Sequence, residues 1–215
     1  MARRWSSFVV GALLVLGSSL AGSSVAAAQG AAPPAPEGKH GFLAMFYLGA
    51  HHFFGDYGAN RVDTGFRIGT ILGGRLTPQI SLNGEITLDV LNPKNVPPGL
   101  DVTGLDADIA FSPLFHVPSG RMELVVGPKL GLRAAAAQTN GGVSTSSSTN
   151  GYTAGINAGL FGAVTPGTSL GALLNFEVRT HDESCVKVGD FPESCSTQNQ
   201  GSAEKLLGIT LAVLF

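Results

Sequence analysis

The residue types that most suggest catalysis stand together at His181, Asp182, Glu183 and Ser184. A serine, a histidine and an acid are the components of a hydrolytic triad, in which the histidine activates the serine for attack on a carbonyl carbon. A triad requires these groups to converge in space, and neighbours within one polar loop do not supply that convergence by themselves. The pattern favours a solvated loop, and we expect no enzyme activity from it.

Two other groups contain metal-binding or redox-active side chains. His51 and His52 are adjacent, but no Cys, Asp or Glu stands at a matching ligand spacing, which favours a solvated loop pair over a metal site. Cys185 and Cys195 lie ten residues apart in a polar stretch without an adjacent histidine. In an oxidising compartment this pair is expected to form a disulfide that closes a loop. We expect neither a metal ion nor a cofactor.

The charged residues in the middle of the chain follow a strict alternation. In the alternating segments between residues 64 and 180, the charged residues in the core of each segment fall on the face opposite to a row of large apolar side chains, with the period of two of a β-strand. This face contains five basic and six acidic residues: Arg67, Arg75, Glu85, Asp89, Asp106, Asp108, Glu123, Lys129, Arg133, Glu177 and Arg179. On one shared surface they would nearly neutralise one another.

Eight strands are predicted to position these residues. They are expected at residues 41–51, 64–76, 80–90, 105–116, 121–136, 151–164, 169–180 and 205–215. Short turns containing proline alternate with longer loops and lie at residues 77–79, 117–120 and 165–168. The first strand has apolar residues on both faces, which leaves its orientation open. Pro113 and Pro128 predict local defects within the fourth and fifth strands.

The last strand helps to choose between a soluble and a membrane barrel. Its residues Leu207, Ile209, Leu211, Val213 and Phe215 form one apolar face that ends on the terminal aromatic residue. In a soluble protein such a strand would be an aggregation-prone edge, whereas a closed barrel in lipid pairs it with the first strand. A lipocalin-like barrel, with its apolar face inside and the charges in water, is the alternative.

This terminal pattern resembles the C-terminal insertion signal of bacterial outer-membrane β-barrels. The whole chain resembles the small OmpA/OmpX-type eight-stranded family. The resemblance implies an all-β fold, an eight-stranded antiparallel up-and-down transmembrane β-barrel in the outer membrane of a Gram-negative cell, with short turns in the periplasm and long loops outside. It also implies contact with outer-membrane lipid and recognition of the last strand by the barrel-assembly machinery.

The N-terminus has the three parts of a secretory signal peptide. Arg3 and Arg4 precede an apolar run over residues 8–16, and Ala26 and Ala28 fit a cleavage site. An uncleaved membrane anchor is the alternative. The expected organisation is a signal peptide, a Pro-containing flexible periplasmic lead-in and a barrel, at residues 1–28, 29–40 and 41–215. Without the signal, 11 basic and 15 acidic residues give a formal charge of −4, which argues against nucleic-acid binding.

In a narrow barrel the charged face would line the lumen. Counting back from the turns pairs Arg67 with Asp89, Asp108 with Lys129 and, in a register shifted by two, Asp106 with Arg133. Buried charges are tolerable only when paired, and an eight-stranded barrel is just wide enough for side chains to fill it. We therefore expect a lumen plugged by a salt-bridge network.

Three functions stay open. The first is a non-enzymatic, monomeric barrel with a structural or surface-interaction role, whose extracellular loops, one Ser/Thr-rich over 138–150 and one closed by the disulfide, meet an external ligand. The second is a small porin-like channel or carrier for small or hydrophobic solutes. The third is a lipid-modifying enzyme, an activity that some small outer-membrane barrels have, which would use His181 and Ser184.

Overall fold

The computed structural model describes residues 41–54, 62–96, 98–140, 144–197 and 203–215. The expected signal peptide and lead-in lie outside the described residues. The described part of the chain is all-β, and no helix within it is long and apolar enough to cross a membrane. Its strands are β1 (Gly41–Phe54), β2 (Val62–Thr77), β3 (Ile80–Pro93), β4 (Asp101–Phe111), β5 (Leu114–Ser119), β6 (Met122–Asn140), β7 (Thr145–Thr165), β8 (Thr168–Arg179), β9 (Glu183–Val188), β10 (Ser194–Thr197) and β11 (Glu204–Leu214).

Eight of these strands close into an antiparallel ring. The order around the ring is β1, β2, β3, β4, β6, β7, β8 and β11, and β11 pairs with β1 to complete it. The terminal Phe215 takes part in the closure, because its N–H donates to the carbonyl of Ala44 at 2.8 Å. The predicted eight-stranded up-and-down β-barrel is confirmed, and both ends of the described chain lie at the end of the barrel that has the short turns.

The predicted defects at Pro113 and Pro128 coincide in the structure. The fourth predicted strand is divided at Ser112 and Pro113 into β4 and β5, and both parts pair with β6 in one register. That register places Pro113 opposite Pro128. Because Ser112 donates its N–H to Asn83 on β3, the next nitrogen, that of Pro113, faces β6. The two N–H groups that the prolines lack therefore belong to one pair of facing residues, and the interruption of the hydrogen bonding between the strands stays local.

The second hairpin register was predicted incorrectly. Its turn is the tighter Gly120–Arg121 turn, with Ser119 paired to Met122, and Gly120 adopts a φ of 61°. Pro118 was expected inside the turn but lies within β5, beyond the point where β3 begins, so its missing N–H faces no strand. As a result Asp108 stands opposite Arg133 instead of Lys129. In the first hairpin Arg67 does stand opposite Asp89, although a bulge pairs Thr77 with Ile80.

Several strands run further towards the long-loop end than predicted. β6 and β7 contain 19 and 21 residues and pair as far as Thr139 with Thr145, inside the stretch expected to be a Ser/Thr-rich loop. The loop that contains both cysteines forms a hairpin of β9 and β10, and β9 pairs with β7. The structure contains the predicted disulfide between Cys185 and Cys195, with 4.0 Å between the Cα atoms. Threonine and serine tolerate an extended chain once a partner strand supplies the ladder.

The two faces of the barrel wall differ sharply. Large apolar side chains point outward along the ring strands, and Leu130 and Leu211, for example, are 62 % and 71 % exposed. The first strand, whose orientation the sequence left open, points Phe42, Phe46 and Leu48 outward and Leu43, Met45 and Tyr47 inward. The outer face is suited to hydrocarbon, whereas the inner face holds nearly all of the buried polar groups.

Candidate functional site: the barrel lumen

A cluster of eight charged side chains occupies the middle of the lumen. None is more than 2 % exposed. We call it the central network, and its members are Arg67, Glu85, Asp89, Asp106, Asp108, Lys129, Glu177 and Arg179. They come from five different strands, β2, β3, β4, β6 and β8, so the network crosses the lumen instead of following one wall.

Two arginines hold the acidic groups of the central network together. Arg67 makes a two-pronged contact with Asp89, at 2.7 and 2.8 Å, and donates to Glu177 at 2.8 Å. Arg179 donates to Glu177 at 2.6 Å and also reaches Asp89, Asp106 and Asp108 at 2.7, 2.8 and 3.2 Å. Charge-assisted and forked contacts of this kind are the strongest hydrogen bonds available to side chains.

Lys129 is the third cation of the central network. Its Nζ lies 2.7 Å from Asp108 Oδ1, 2.9 Å from Glu177 Oε1 and 3.0 Å from Glu85 Oε1. The predicted contact between Asp108 and Lys129 is therefore present, although the two residues are not strand partners. A long lysine side chain reaches diagonally across the pleat, so contact survives the different register. The Tyr47 hydroxyl donates to the same Glu85 oxygen at 2.8 Å.

An apolar cluster lies beside the central network, towards the short-turn end. It contains Leu43, Met45, Tyr47, Ile71, Leu114, Val125, Phe161, Leu173, Ala212 and Leu214, all at most 3 % exposed. Tyr47 joins the two regions, because its ring packs in the apolar cluster and its hydroxyl bonds to Glu85. The alternation of charged residues in the sequence predicts the charged part of the lumen but not this apolar region.

A separate charged group lies near the short turns. Glu123 accepts from Arg75 at 2.8 Å, and its Oε1 lies 2.7 Å from His116 Nδ1. The other ring nitrogen of His116 lies 2.8 Å from Ser81 Oγ. Arg75 and Glu123, predicted on the inner face, are therefore brought together, but with each other and not with the central network.

The opposite, long-loop end of the lumen contains a cavity of about 320 Å³, which we call the outer cavity. Arg133, His181 and Glu204 line it together with Phe53, Val62, Leu91, Ala135, Ala136, Ala137, Ser147, Thr149, Ser184 and Val186. Arg133 donates to Asp106 at 2.6 Å and to Glu204 at 3.1 Å, and so links the cavity to the central network. His181 Nε2 lies 3.1 Å from Glu204 Oε1.

The residues of the hydrolase-like stretch at 181–184 do not all lie together in the structure. Asp182 and Glu183 are exposed, and the acid beside His181 is Glu204 from β11. Ser184 lines the same cavity as these two residues. The histidine and the acid therefore belong to the ionic lining of the outer cavity, since Arg133 also contacts both of them, at 3.4 and 3.1 Å.

The expected exposure of His51 is also wrong. This histidine was interpreted as part of a solvated loop pair, but only His52 is exposed, because the long first strand continues to Phe54 and points His51 inward. His51 is 1 % exposed, with Nδ1 3.1 Å from Asp89 Oδ1. His51 and Glu204 are lumen residues that the sequence analysis missed. Both stand in phase with inward residues of their strands, and that alternation was the available signal.

The charges of the lumen do not balance. Among the described residues the central network and the outer cavity together contain four cations, Arg67, Lys129, Arg133 and Arg179, against six carboxylates once Glu204 is included. The near balance of five basic and six acidic residues expected from the sequence omits Glu204, which lies in the predicted loop. Counted without His51 and His181, which lie 3.1 Å from Asp89 and Glu204, the formal charge of these described side chains is −2.

The fold and this lumen define a class, the small eight-stranded transmembrane β-barrels of the outer-membrane type. No protein-family model and no curated protein sequence matches the chain. Among solved structures it is similar to Neisserial surface protein A, at 16 % identity and a TM-score of 0.56 over 83 % of this chain and 97 % of that one. It is also similar to a major outer membrane protein from Thermus thermophilus, at 12 % identity and a TM-score of 0.61 over 82 % and 99 %. The resemblance to small outer-membrane barrels is confirmed for the fold.

Proposed function

We propose that this protein is a non-enzymatic barrel of the outer membrane whose lumen is closed by its own side chains and which acts through its extracellular end. The observation that carries the proposal is the filling of the lumen. The charged residues of the central network and the apolar cluster beside it are almost completely withdrawn from solvent. An open, hydrated pore would leave such residues accessible to water.

The outer face supports the proposed location. Its apolar band and the terminal strand, with Ile209 58 % and Phe215 51 % exposed, would contact outer-membrane lipid. The terminal strand is also the element that the barrel-assembly machinery would recognise, after export guided by a cleaved signal peptide. Both structural neighbours described above are named as surface or outer-membrane proteins, which agrees with this location.

The extracellular end is the part of the barrel suited to recognition. There β6, β7, β9 and β10 form a continuous sheet beyond the ring, and the disulfide joins β9 to β10. An exposed Phe191, at 73 %, lies between β9 and β10. A rigid, disulfide-braced projection of this kind presents a stable surface for an external ligand.

Current through the refolded full chain in a planar lipid bilayer tests the closed lumen. We expect no stepwise conductance from the wild type, and none from Arg121→Ala, which removes an exposed arginine at the short-turn end as a matched control. Reproducible steps that change with Arg67→Ala or Asp89→Ala, and not with Arg121→Ala, would instead support the channel or carrier function.

A further inference from the structure

The outer cavity has the composition of a small-molecule site. Its volume of about 320 Å³ lies at the lower end of the range for ligand pockets, and it combines apolar walls with a few convergent polar groups. We propose that it binds a small organic ammonium cation, with an apolar body in the cavity and the ammonium group on Glu204. This goes beyond the proposed function, because a barrel that does not conduct could still hold such a ligand at its outer end.

The walls of the cavity suit a compact apolar group. Phe53, Val62, Leu91 and Val186 line it, and they come from β1, β2, β3 and β9. The small side chains of β6, an alanine run over 135–137, leave room opposite them. Burial of an aromatic or branched aliphatic body against these residues would supply most of the binding free energy.

Glu204 is the one carboxylate among the described residues that line the cavity. Glu204 Oε2 accepts from Arg133 and Oε1 lies near His181, each at 3.1 Å. A carboxylate has about four acceptor positions, so Glu204 can take a further donor. The guanidinium of Arg133 is already shared between Glu204 and Asp106.

The charged groups near Glu204 favour a ligand of positive charge. Within the described ranges, the titratable groups that contact Glu204 are Arg133 from β6 and His181 after β8, and Asp106 from β4 stands behind Arg133. Leaving the histidines out of the count, the described residues of the connected region include six carboxylates against four Arg and Lys side chains, so a ligand cation lowers the excess of negative side chains and an anion adds to it.

Three probes of similar shape and different charge test this proposal. The full chain is reconstituted in nanodiscs of phosphatidylcholine, and binding of 2-phenylethylamine, 2-phenylethanol and 3-phenylpropionate is measured by calorimetry, with empty discs subtracted. We expect saturable binding of the amine, weaker binding of the alcohol by about tenfold, and no saturable binding of the anion. Ala137→Phe, which fills the cavity from β6, should remove binding of the amine.

Glu204→Gln separates the charge from the cavity. We expect this substitution to weaken binding of the amine by about tenfold and to change the affinity for the alcohol by no more than about threefold. Glu183→Gln is the matched control, because Glu183 is exposed and does not line the cavity. A shift in gel mobility between unheated and boiled samples reports folding of each variant. If Glu204→Gln does not fold, Ala137→Phe and the three wild-type affinities still decide the matter.

Equal affinity for the amine and the anion would overturn the proposal. The same holds for the absence of saturable binding of the amine to the wild type, or for wild-type affinity in Ala137→Phe. Stepwise conductance through the bilayer would contradict the closed lumen but not this binding site, so failure of the two proposals can be told apart.

Discussion

Replacement of Lys129 by methionine is the sharpest perturbation of the central network. Lys129 is fully buried, and its Nζ lies within 3.0 Å of Glu85, Asp108 and Glu177. Methionine keeps most of the side-chain volume but removes the charge, so the excess of carboxylates over cations in the region grows by one. Removal of one partner from a buried ionic cluster costs about 3–5 kcal/mol, because the remaining charges stay buried without compensation.

The assay is urea unfolding of the barrel in lipid vesicles, with the folded fraction read from unheated gel samples. Lys205→Met provides the matched control, since Lys205 is exposed on β11, and should change the free energy of unfolding by less than about 0.5 kcal/mol. Adding Asp108→Asn to Lys129→Met removes one excess carboxylate and should recover part of the loss. A free energy of unfolding for Lys129→Met within about 1 kcal/mol of the wild type would refute the reasoning.

Three other variants test different parts of the barrel. Gly69→Ala places a Cβ against the buried aromatic ring of its strand partner and should cost about 1–3 kcal/mol in urea unfolding, whereas Gly84→Ala, with its nearest atom at 4.0 Å, should be tolerated; equal stabilities would contradict the packing. Leu130→Arg on the outer face should cost up to about 2–4 kcal/mol in vesicles, and a neutral effect would place this face outside the hydrocarbon. Cys185→Ser should make the β9–β10 hairpin sensitive to protease while the urea midpoint of the barrel stays unchanged; a large fall in that midpoint would show that the disulfide braces the ring.

The fold could be predicted because the residue types alternate along the strands with a period of two. Alternation alone separates outward from inward residues on a strand, and a closed barrel turns that separation into lipid and lumen faces. It failed to orient β1 because both faces of this strand are apolar, and only its partners show that Tyr47 points inward beside Gly69.

Contacts across the lumen could not be predicted from the sequence in the same way. Pairing along a hairpin depends on the turn, and placing Pro118 in the turn instead of in β5 moved the expected partner of Asp108 from Arg133 to Lys129. Arg179 contacts acids on β3 and β4, strands that are not its neighbours in the ring. Such contacts depend on the curvature and stagger of the closed barrel, which no single hairpin contains.

The exact ends of the strands were also not predictable from the sequence. Glu204 was placed in a loop because the predicted strand began one residue later, and His51 was assigned to the end of a shorter β1. Each boundary was wrong by only one or a few residues, but each error left a residue that contacts the charged lumen out of the predicted lumen.

The accessibility of one introduced thiol tests the closed lumen most directly. The chain has two cysteines and both are in the disulfide, so Asn175→Cys, at a position with 0 % exposure, and Ala137→Cys, in the outer cavity, each provide one free thiol. The folded protein in micelles is treated with a charged methanethiosulfonate reagent. We predict rapid labelling of the Ala137→Cys protein and labelling of the Asn175→Cys protein only after unfolding. Labelling of both folded proteins at similar rates would contradict a lumen closed by its own side chains.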